Sequence, residues 1–101
     1  MNKKILIFGA GSIGNHMTNA NLRLKNQVSV TDIDKKSLVR MKNKIFPSRY
    51  GKWNSSINLI VYKKAFEKRK FDLIIIGTPP TTHLSLVKKL YNSSILSDFP
   101  S

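Results

Sequence analysis

The stretch KKILIFGAGSIG, residues 3–14, decides the fold of this chain. Its apolar part, Ile5–Phe8, follows two lysines and has the length of a strand buried on both faces of a parallel sheet. A glycine turn comes directly after it, and the pattern after the turn is that of a helix. This order predicts a strand–turn–helix unit at the start of an α/β domain.

The turn has the spacing G-x-G-x-x-G, with Gly9, Gly11 and Gly14 as its glycines. The first permits a tight turn, the second lets a pyrophosphate approach the backbone, and the third lets the helix lie close to the strand. The free N–H groups and positive dipole end of that helix face the turn, which suits an anion. We therefore predict that the turn binds a dinucleotide, with Ser12 and Ile13 among the contacts. The alternative is a junction whose glycines serve packing only.

Length and composition limit the chain to one small domain of 101 residues, without cysteine and with 41% hydrophobic residues. We assign residues 1–91 to an incomplete dinucleotide-binding domain and residues 92–101 to an irregular tail. The first apolar run ends at Gly9 and is too short for an export signal or a membrane span. We expect a soluble, cytoplasmic protein without a membrane partner.

The formal charge is +13, from 18 Lys and Arg against 5 Asp and Glu. Such an excess can indicate a nucleic-acid or anionic-membrane partner. The basic residues are scattered through every segment, and lysine, asparagine and isoleucine are all abundant, which favours compositional drift. One irregular stretch, residues 47–56, mixes aromatic with basic residues. We expect it to fold its aromatic rings over the edge of the core; stacking on nucleic-acid bases is the alternative.

The hydrophobic pattern predicts strands that alternate with helices. The strands are predicted at residues 5–8, 28–31, 59–61 and 72–76. The helices are predicted at 12–25, with Ile13, Met17, Ala20 and Leu24 on the apolar face; at 35–44, ended by Pro47; at 63–70; and after residue 83, with Leu84, Val87, Leu90 and Tyr91 as apolar positions. Right-handed βαβ crossovers then give a parallel sheet of order 3-2-1-4, with a ligand crevice at the carboxyl ends of strands 1 and 4.

Asp32 follows the second strand, 18 residues after Gly14. The dinucleotide pattern places an acidic residue about 20 residues on, where its carboxylate accepts hydrogen bonds from the adenosine ribose hydroxyls. We favour Asp32 for this role; Asp34 is the alternative, but it directly precedes the next helix and is better suited to the N-cap. The carboxylate would repel a 2′-phosphate and favours NAD, while Lys35 and Lys36 leave NADP open.

The fourth strand ends in Gly77-Thr78-Pro79-Pro80, and His83 lies in the first turn of the next helix. Thr78 offers a hydroxyl to a bound nucleotide beside a rigid turn. In the simpler interpretation, this segment closes the strand and His83 caps the helix or faces solvent. His16 has no second ligand to pair with, so we predict no metal site.

These residues resemble the glucose–fructose oxidoreductase/inositol dehydrogenase/MocA family. The strand ending in Gly-Thr-Pro-Pro before His83 looks like the family's A/G-T-P-x-x-x-H signature, and the glycine turn and Asp32 match its cofactor site in order and spacing. The resemblance implies that Thr78, Pro79 and His83 line the nicotinamide half of the site. It also implies oxidation or reduction of a sugar or polyol carbon with NAD(P).

The chain departs from that family after the fourth helix. Members continue with a fifth strand, a Glu-Lys-Pro motif whose lysine serves catalysis, and a second domain that supplies the substrate pocket. Residues 92–101 contain no such motif, and the five carboxylates form no acid–base pair. We therefore predict the cofactor-binding portion of a truncated oxidoreductase, without catalytic residues and with a sugar or polyol substrate only in a full-length relative. The alternatives are a nucleotide-sensing module without catalysis and, less favoured, a basic nucleic-acid-binding protein.

Strand 72–76 is apolar, uncharged after Asp72 and free of proline. Without a fifth strand it is a sheet edge, and such edges pair with other chains. We expect self-association through this strand.

Overall fold

The computed structural model describes residues 2–67 and 71–93, and they form an α/β unit. The strands are β1 (Lys4–Phe8), β2 (Gln27–Thr31), β3 (Asn58–Leu59) and β4 (Leu73–Ile76). The helices are α1 (Ser12–Arg23), α2 (Lys35–Arg40), α3 (Phe46–Tyr50) and α4 (His83–Ser93); a π-helical turn (Met41–Ile45) joins α2 to α3, and 3₁₀ turns span Tyr62–Phe66 and Pro80–Thr82.

The four strands form one parallel sheet in the order β3-β2-β1-β4. In its centre Ile7 lies opposite Val30 on one side and Ile75 on the other. The predicted fold class and strand order are thus confirmed. The order changes direction between β1 and β4, so their carboxyl ends open the crevice in which ligands of such sheets bind.

Side chains alternate between the two faces of β1 and so build two cores. Ile5 and Ile7 point to the face that α1, α2 and α3 cover, where Phe46 is also buried. Leu6 and Phe8 point to the other face. There they pack with residues from the 3₁₀ turn and α4, namely Ala65, Leu86 and Leu90, and with Phe71 before β4.

The face that α1 buries differs from the predicted one. Ile13 and Leu24 are each 61% exposed, whereas Asn15, Thr18 and Asn21 are buried. The close approach of the helix to the turn before it sets this rotation. The buried polar side chains donate to nearby backbone carbonyls, Asn15 to those of Ala10 and Gly11 in the turn, and Thr18 and Asn21 to those of their own helix. The Thr18 hydroxyl donates to the Gly14 carbonyl at 2.7 Å, and the Asn21 amide donates to that of Met17 at 2.9 Å.

The second predicted helix does not end at Pro47. It continues through the π-helical turn into α3, where Pro47 is the second residue. Proline fits a first helical turn because the N–H it lacks has no partner there, and the wide π-helical turn shifts the hydrogen-bond pattern ahead of it. The aromatic rings after it fold over the core as predicted, since those of Tyr50 and Trp53 lie 4.8 and 5.5 Å from that of Phe46.

The observed bounds of several other helices and strands also differ from the predicted ones. The first helix ends at Arg23 instead of residue 25, β3 begins one residue early and is shorter, and the segment predicted as helix 63–70 is a 3₁₀ turn; residues 68–70 lie outside the described residues. Asn92 and Ser93 extend α4, and residues 94–101 also lie outside the described range. On α4, Leu86 and Leu90 are buried, whereas Leu84, Val87 and Tyr91 are exposed.

Strand β4 is only partly buried. Leu73 is 49% exposed and Ile74–Ile76 are half-buried, because within the described part of the chain β4 has a neighbour on one side only. The exposed face of α4, with Leu84 and Val87, adds apolar surface to this half of the molecule. Both features support the proposal that copies of the chain associate through β4.

We expect Leu73→Lys to reduce self-association, because a lysine at a sheet edge opposes pairing with another strand. Leu73 suits the test better than Ile75, which packs against the core. Light scattering over a concentration series measures the average mass of the wild type and the variant. Val39→Lys, at a 58% exposed position on α2, is the matched control. A wild type that remains monomeric at high concentration contradicts the proposal.

Candidate functional site

A cavity of about 510 Å³ opens at the carboxyl ends of β1 and β4. The turn after β1 contributes Gly9 and Gly11 to its wall, and the turn after β4 contributes Gly77, Thr78 and Pro79. Side chains from further elements complete the lining, among them Asp32, Ile33, Tyr62, Leu86 and Lys89. Its volume lies in the roughly 300–1,000 Å³ range of small-molecule and cofactor sites.

The three glycines of the first turn serve different purposes. A Cβ on Gly14 would lie 1.8 Å from the Gly9 carbonyl oxygen, so only glycine lets α1 pack this closely on the turn. Gly9 has a φ of +111°, and a Cβ there would approach the Gly77 carbonyl group to 3.1 Å. Gly11, by contrast, has no atom within 4 Å of the position of its Cβ and lines the cavity. Packing therefore explains two of the glycines and leaves the third facing open space.

The start of α1 has features that favour an anion beside it. Its N-cap is Gly11, which has no side chain to cap the helix, and the first turn contains no acidic residue. The first N–H groups of the helix therefore have no side-chain acceptor at the cap, and they lie at the positive end of the helix dipole.

Ser12 and Ile13 do not line the cavity, although both stand at the start of α1. The guanidinium of Arg49, from α3, donates to the Ser12 carbonyl at 3.2 Å and to its hydroxyl at 3.1 Å. The sequence did not reveal this link, because it joins residues 37 positions apart. Ile13 is exposed, and its Cγ2 would lie 3.5 Å from a Cβ on Gly77. Ser12 and Ile13 thus follow the glycine turn without lining the cavity.

Asp32 lines the cavity and also holds the glycine turn in place. One carboxylate oxygen accepts the backbone N–H of Ala10 at 2.9 Å, and the other accepts that of Asp34 at 2.9 Å. Each oxygen has a second lone pair, so the carboxylate retains acceptor capacity for a ligand hydroxyl. The sequence predicted a contact between Asp32 and a ligand. It did not predict the two hydrogen bonds by which Asp32 holds the backbone. Asp34 caps α2 as expected, because its side chain accepts the N–H of Lys36 at 3.0 Å.

Tyr62 forms part of the wall beside Asp32. Burial raises the pKa of its phenol, and the negative charge of Asp32 raises that pKa further. The Lys89 ammonium lies 5.2 Å from the centre of the Tyr62 ring and 4.5 Å from that of Phe66. No sequence motif pointed to Tyr62 or Lys89, since only the crossover from β3 to β4 and the packing of α4 bring them to the crevice.

The turn after β4 places Thr78 and Pro79 at the cavity and His83 behind them. His83 is not among the lining residues; its Nε2 lies 2.7 Å from the Thr78 carbonyl oxygen. A carbonyl only accepts, so Nε2 carries a proton and donates. The Thr82 hydroxyl lies 2.8 Å from the Pro79 carbonyl oxygen. These bonds hold the turn together, and the bond to Thr78 links His83 to a residue of the cavity wall.

Residues 2–67 and 71–93 hold no group of three or more His, Cys, Asp or Glu side chains that could bind a metal ion. Within the same ranges, no helix has the length and apolar character needed to cross a membrane.

No protein-family model matches the sequence, and a search of curated proteins found no match. Solved structures do match, among them a putative F420-dependent NADP reductase from Arthrobacter sp. FB24. The TM-score is 0.64 at 18% identity, over 91% of this chain and 41% of the other. This chain thus spans about two fifths of that protein's length. The likeness shows the fold, which is a Rossmann-type α/β fold.

Proposed function

We propose that this chain binds NAD, with NADP also accepted, in the cavity between β1 and β4, as the cofactor-binding part of an oxidoreductase. One observation carries the proposal. Gly11 lines the cavity, and nothing in the described structure requires a glycine there. A bound pyrophosphate provides the missing reason, because a methyl group at this position would stand between the phosphates and the backbone.

The surroundings of the turn support the same proposal. The uncapped start of α1 offers N–H groups to a phosphate, and Asp32 keeps lone pairs for a ribose hydroxyl beside it. Thr78 and Pro79 also line the cavity, as the family resemblance implies for residues near the nicotinamide. The matching solved structure is named as an NADP reductase, which agrees with a nicotinamide dinucleotide as ligand.

Membership of the glucose–fructose oxidoreductase/inositol dehydrogenase/MocA family and a sugar or polyol substrate rest on the motif resemblance alone and stay predictions. A nucleotide-sensing role without catalysis uses the same cavity and differs only in the absence of a chemical step after binding. The nucleic-acid alternative loses support, because Tyr50 and Trp53 pack on Phe46 at the edge of the core.

Gly11→Ala tests the proposal directly. The position is open and its φ is −85°, so alanine fits, and we expect the free energy of unfolding to change by less than about 1 kcal/mol. We expect the Kd for NAD, measured by calorimetry, to rise about tenfold or more, since the methyl group obstructs the pyrophosphate. Gly14→Ala is the contrasting variant and should lose about 1–3 kcal/mol of stability through its clash with Gly9. Unchanged NAD binding by a folded Gly11→Ala protein would refute the proposal.

Asp32→Asn separates the two roles of that carboxylate. The amide nitrogen cannot accept an N–H, so one of the bonds to Ala10 and Asp34 is lost, and stability should fall by about 1–3 kcal/mol. Removing the negative charge should also reduce the preference for NAD over NADP by about tenfold. Calorimetric titration of both dinucleotides, below the unfolding temperature of the variant, measures the ratio. A ratio equal to that of the wild type contradicts a contact between Asp32 and the ribose.

A further inference from the structure

Lys89 lies on α4, in the second half of the chain and far in sequence from the glycine turn. It lines the same cavity as Asp32, together with Thr82, Ser85 and Leu86 from the same side of α4 and the turn before it. Among the lining residues in the described part of the chain, Asp32 is the one acidic side chain and Lys89 the one basic side chain. The charge of the cavity wall therefore depends on this pair.

Tyr62 interacts with both charged side chains. The ammonium of Lys89 faces the Tyr62 ring, 5.2 Å from its centre, and the carboxylate of Asp32 is close enough to the phenol to raise its pKa. Asp32 is fixed by two backbone N–H groups. The ammonium of Lys89 stands at the end of a flexible four-carbon stem.

A nicotinamide dinucleotide brings at least two phosphate groups to this wall. With Asp32 as the sole charge, the cavity would carry −1 and repel such a ligand in a partly desolvated site. The positive charge of Lys89 offsets the negative charge of the carboxylate. We propose that Lys89 is the anion-binding side chain of the cavity and contacts a phosphate of the bound nucleotide, an inference that rests on the proposed function. The phosphate belongs either to the pyrophosphate or to a ribose 2′-phosphate.

Lys89→Met tests this role, because methionine keeps an unbranched apolar stem over the rings and removes the charge. We expect the Kd for the preferred nucleotide to rise about tenfold, the effect of losing one charged hydrogen bond. Lys89→Arg keeps the cation and should bind within a few-fold of the wild type. Lys88→Met removes the same charge from the neighbouring exposed position, which does not line the cavity, and should leave the Kd within about twofold. Thermal unfolding of each variant shows that it is folded at the assay temperature.

The ligand series identifies the source of the phosphate. Calorimetry is performed with NAD, NADP, ADP and 2′,5′-ADP. Weaker binding of all four ligands to Lys89→Met assigns the contact to a phosphate on the 5′ side, and weaker binding of NADP and 2′,5′-ADP alone assigns it to the 2′-phosphate; both support the proposal. Equal binding by Lys89→Met and Lys88→Met overturns it and leaves the proposed function intact.

A wild type that binds none of the four nucleotides contradicts the proposed function instead. Inorganic pyrophosphate then decides the role of Lys89. Saturable pyrophosphate binding that Lys89→Met loses and Lys88→Met retains supports an anion-binding lysine, whereas no such difference overturns it.

Discussion

The close contact between α1 and the turn that precedes it determines much of this structure. Gly14 sits against the Gly9 carbonyl with no room for a side chain, since a Cβ would come within 1.8 Å of that oxygen. Because the contact fixes the rotation of α1, it decides which residues face the sheet. It also brings the first turn of α1 to the crevice, where its N–H groups and dipole act on the space above β1. One steric constraint thus links the packing of the domain to the electrostatics of its cavity.

Hydrogen bonds to Asp32 fix the same region of the backbone in addition to this steric constraint. The Asp32 carboxylate joins the end of β2, the turn after β1 and the start of the segment that leads into α2. These segments are neighbours only because β1 and β2 pair in parallel, with Phe8 opposite Thr31. The cavity wall is therefore organised by hydrogen bonds within the protein itself, from backbone N–H groups to the Asp32 carboxylate. A ligand that binds such a wall loses little free energy in ordering it.

The sequence predicted the topology because the topology depends on apolar runs, turn residues and the handedness of crossovers, all of which are local or general. It failed on the buried face of α1, where counting apolar residues selected Ile13 and Leu24. Backbone proximity at Gly14 overrides that count, and Thr18 and Asn21 tolerate burial because they bond to their own helix. The prediction at Pro47 failed for a related reason, since a π-helical turn ahead of it lets the helix continue.

The sequence likewise predicted some residues of the candidate site and missed others. Gly11, Asp32 and Thr78 were found because each comes after a strand of a parallel sheet, and the carboxyl ends of such strands meet. Tyr62 and Lys89 belong to a 3₁₀ turn and to the middle of α4, and no spacing rule connects them to the glycine turn. Only the packing of these elements on the Phe8 face of the sheet brings them to the cavity.

The formal charge of +13 and the charge of the cavity act at different ranges. Exposed charges are screened over about 8 Å at physiological ionic strength, so the net charge attracts anions of every kind and selects none. Within the cavity one carboxylate and one ammonium interact with Tyr62, and there a nucleotide would meet donors and acceptors held by the fold. Selectivity between dinucleotides would therefore depend on these two side chains and not on the basic residues scattered over the rest of the chain.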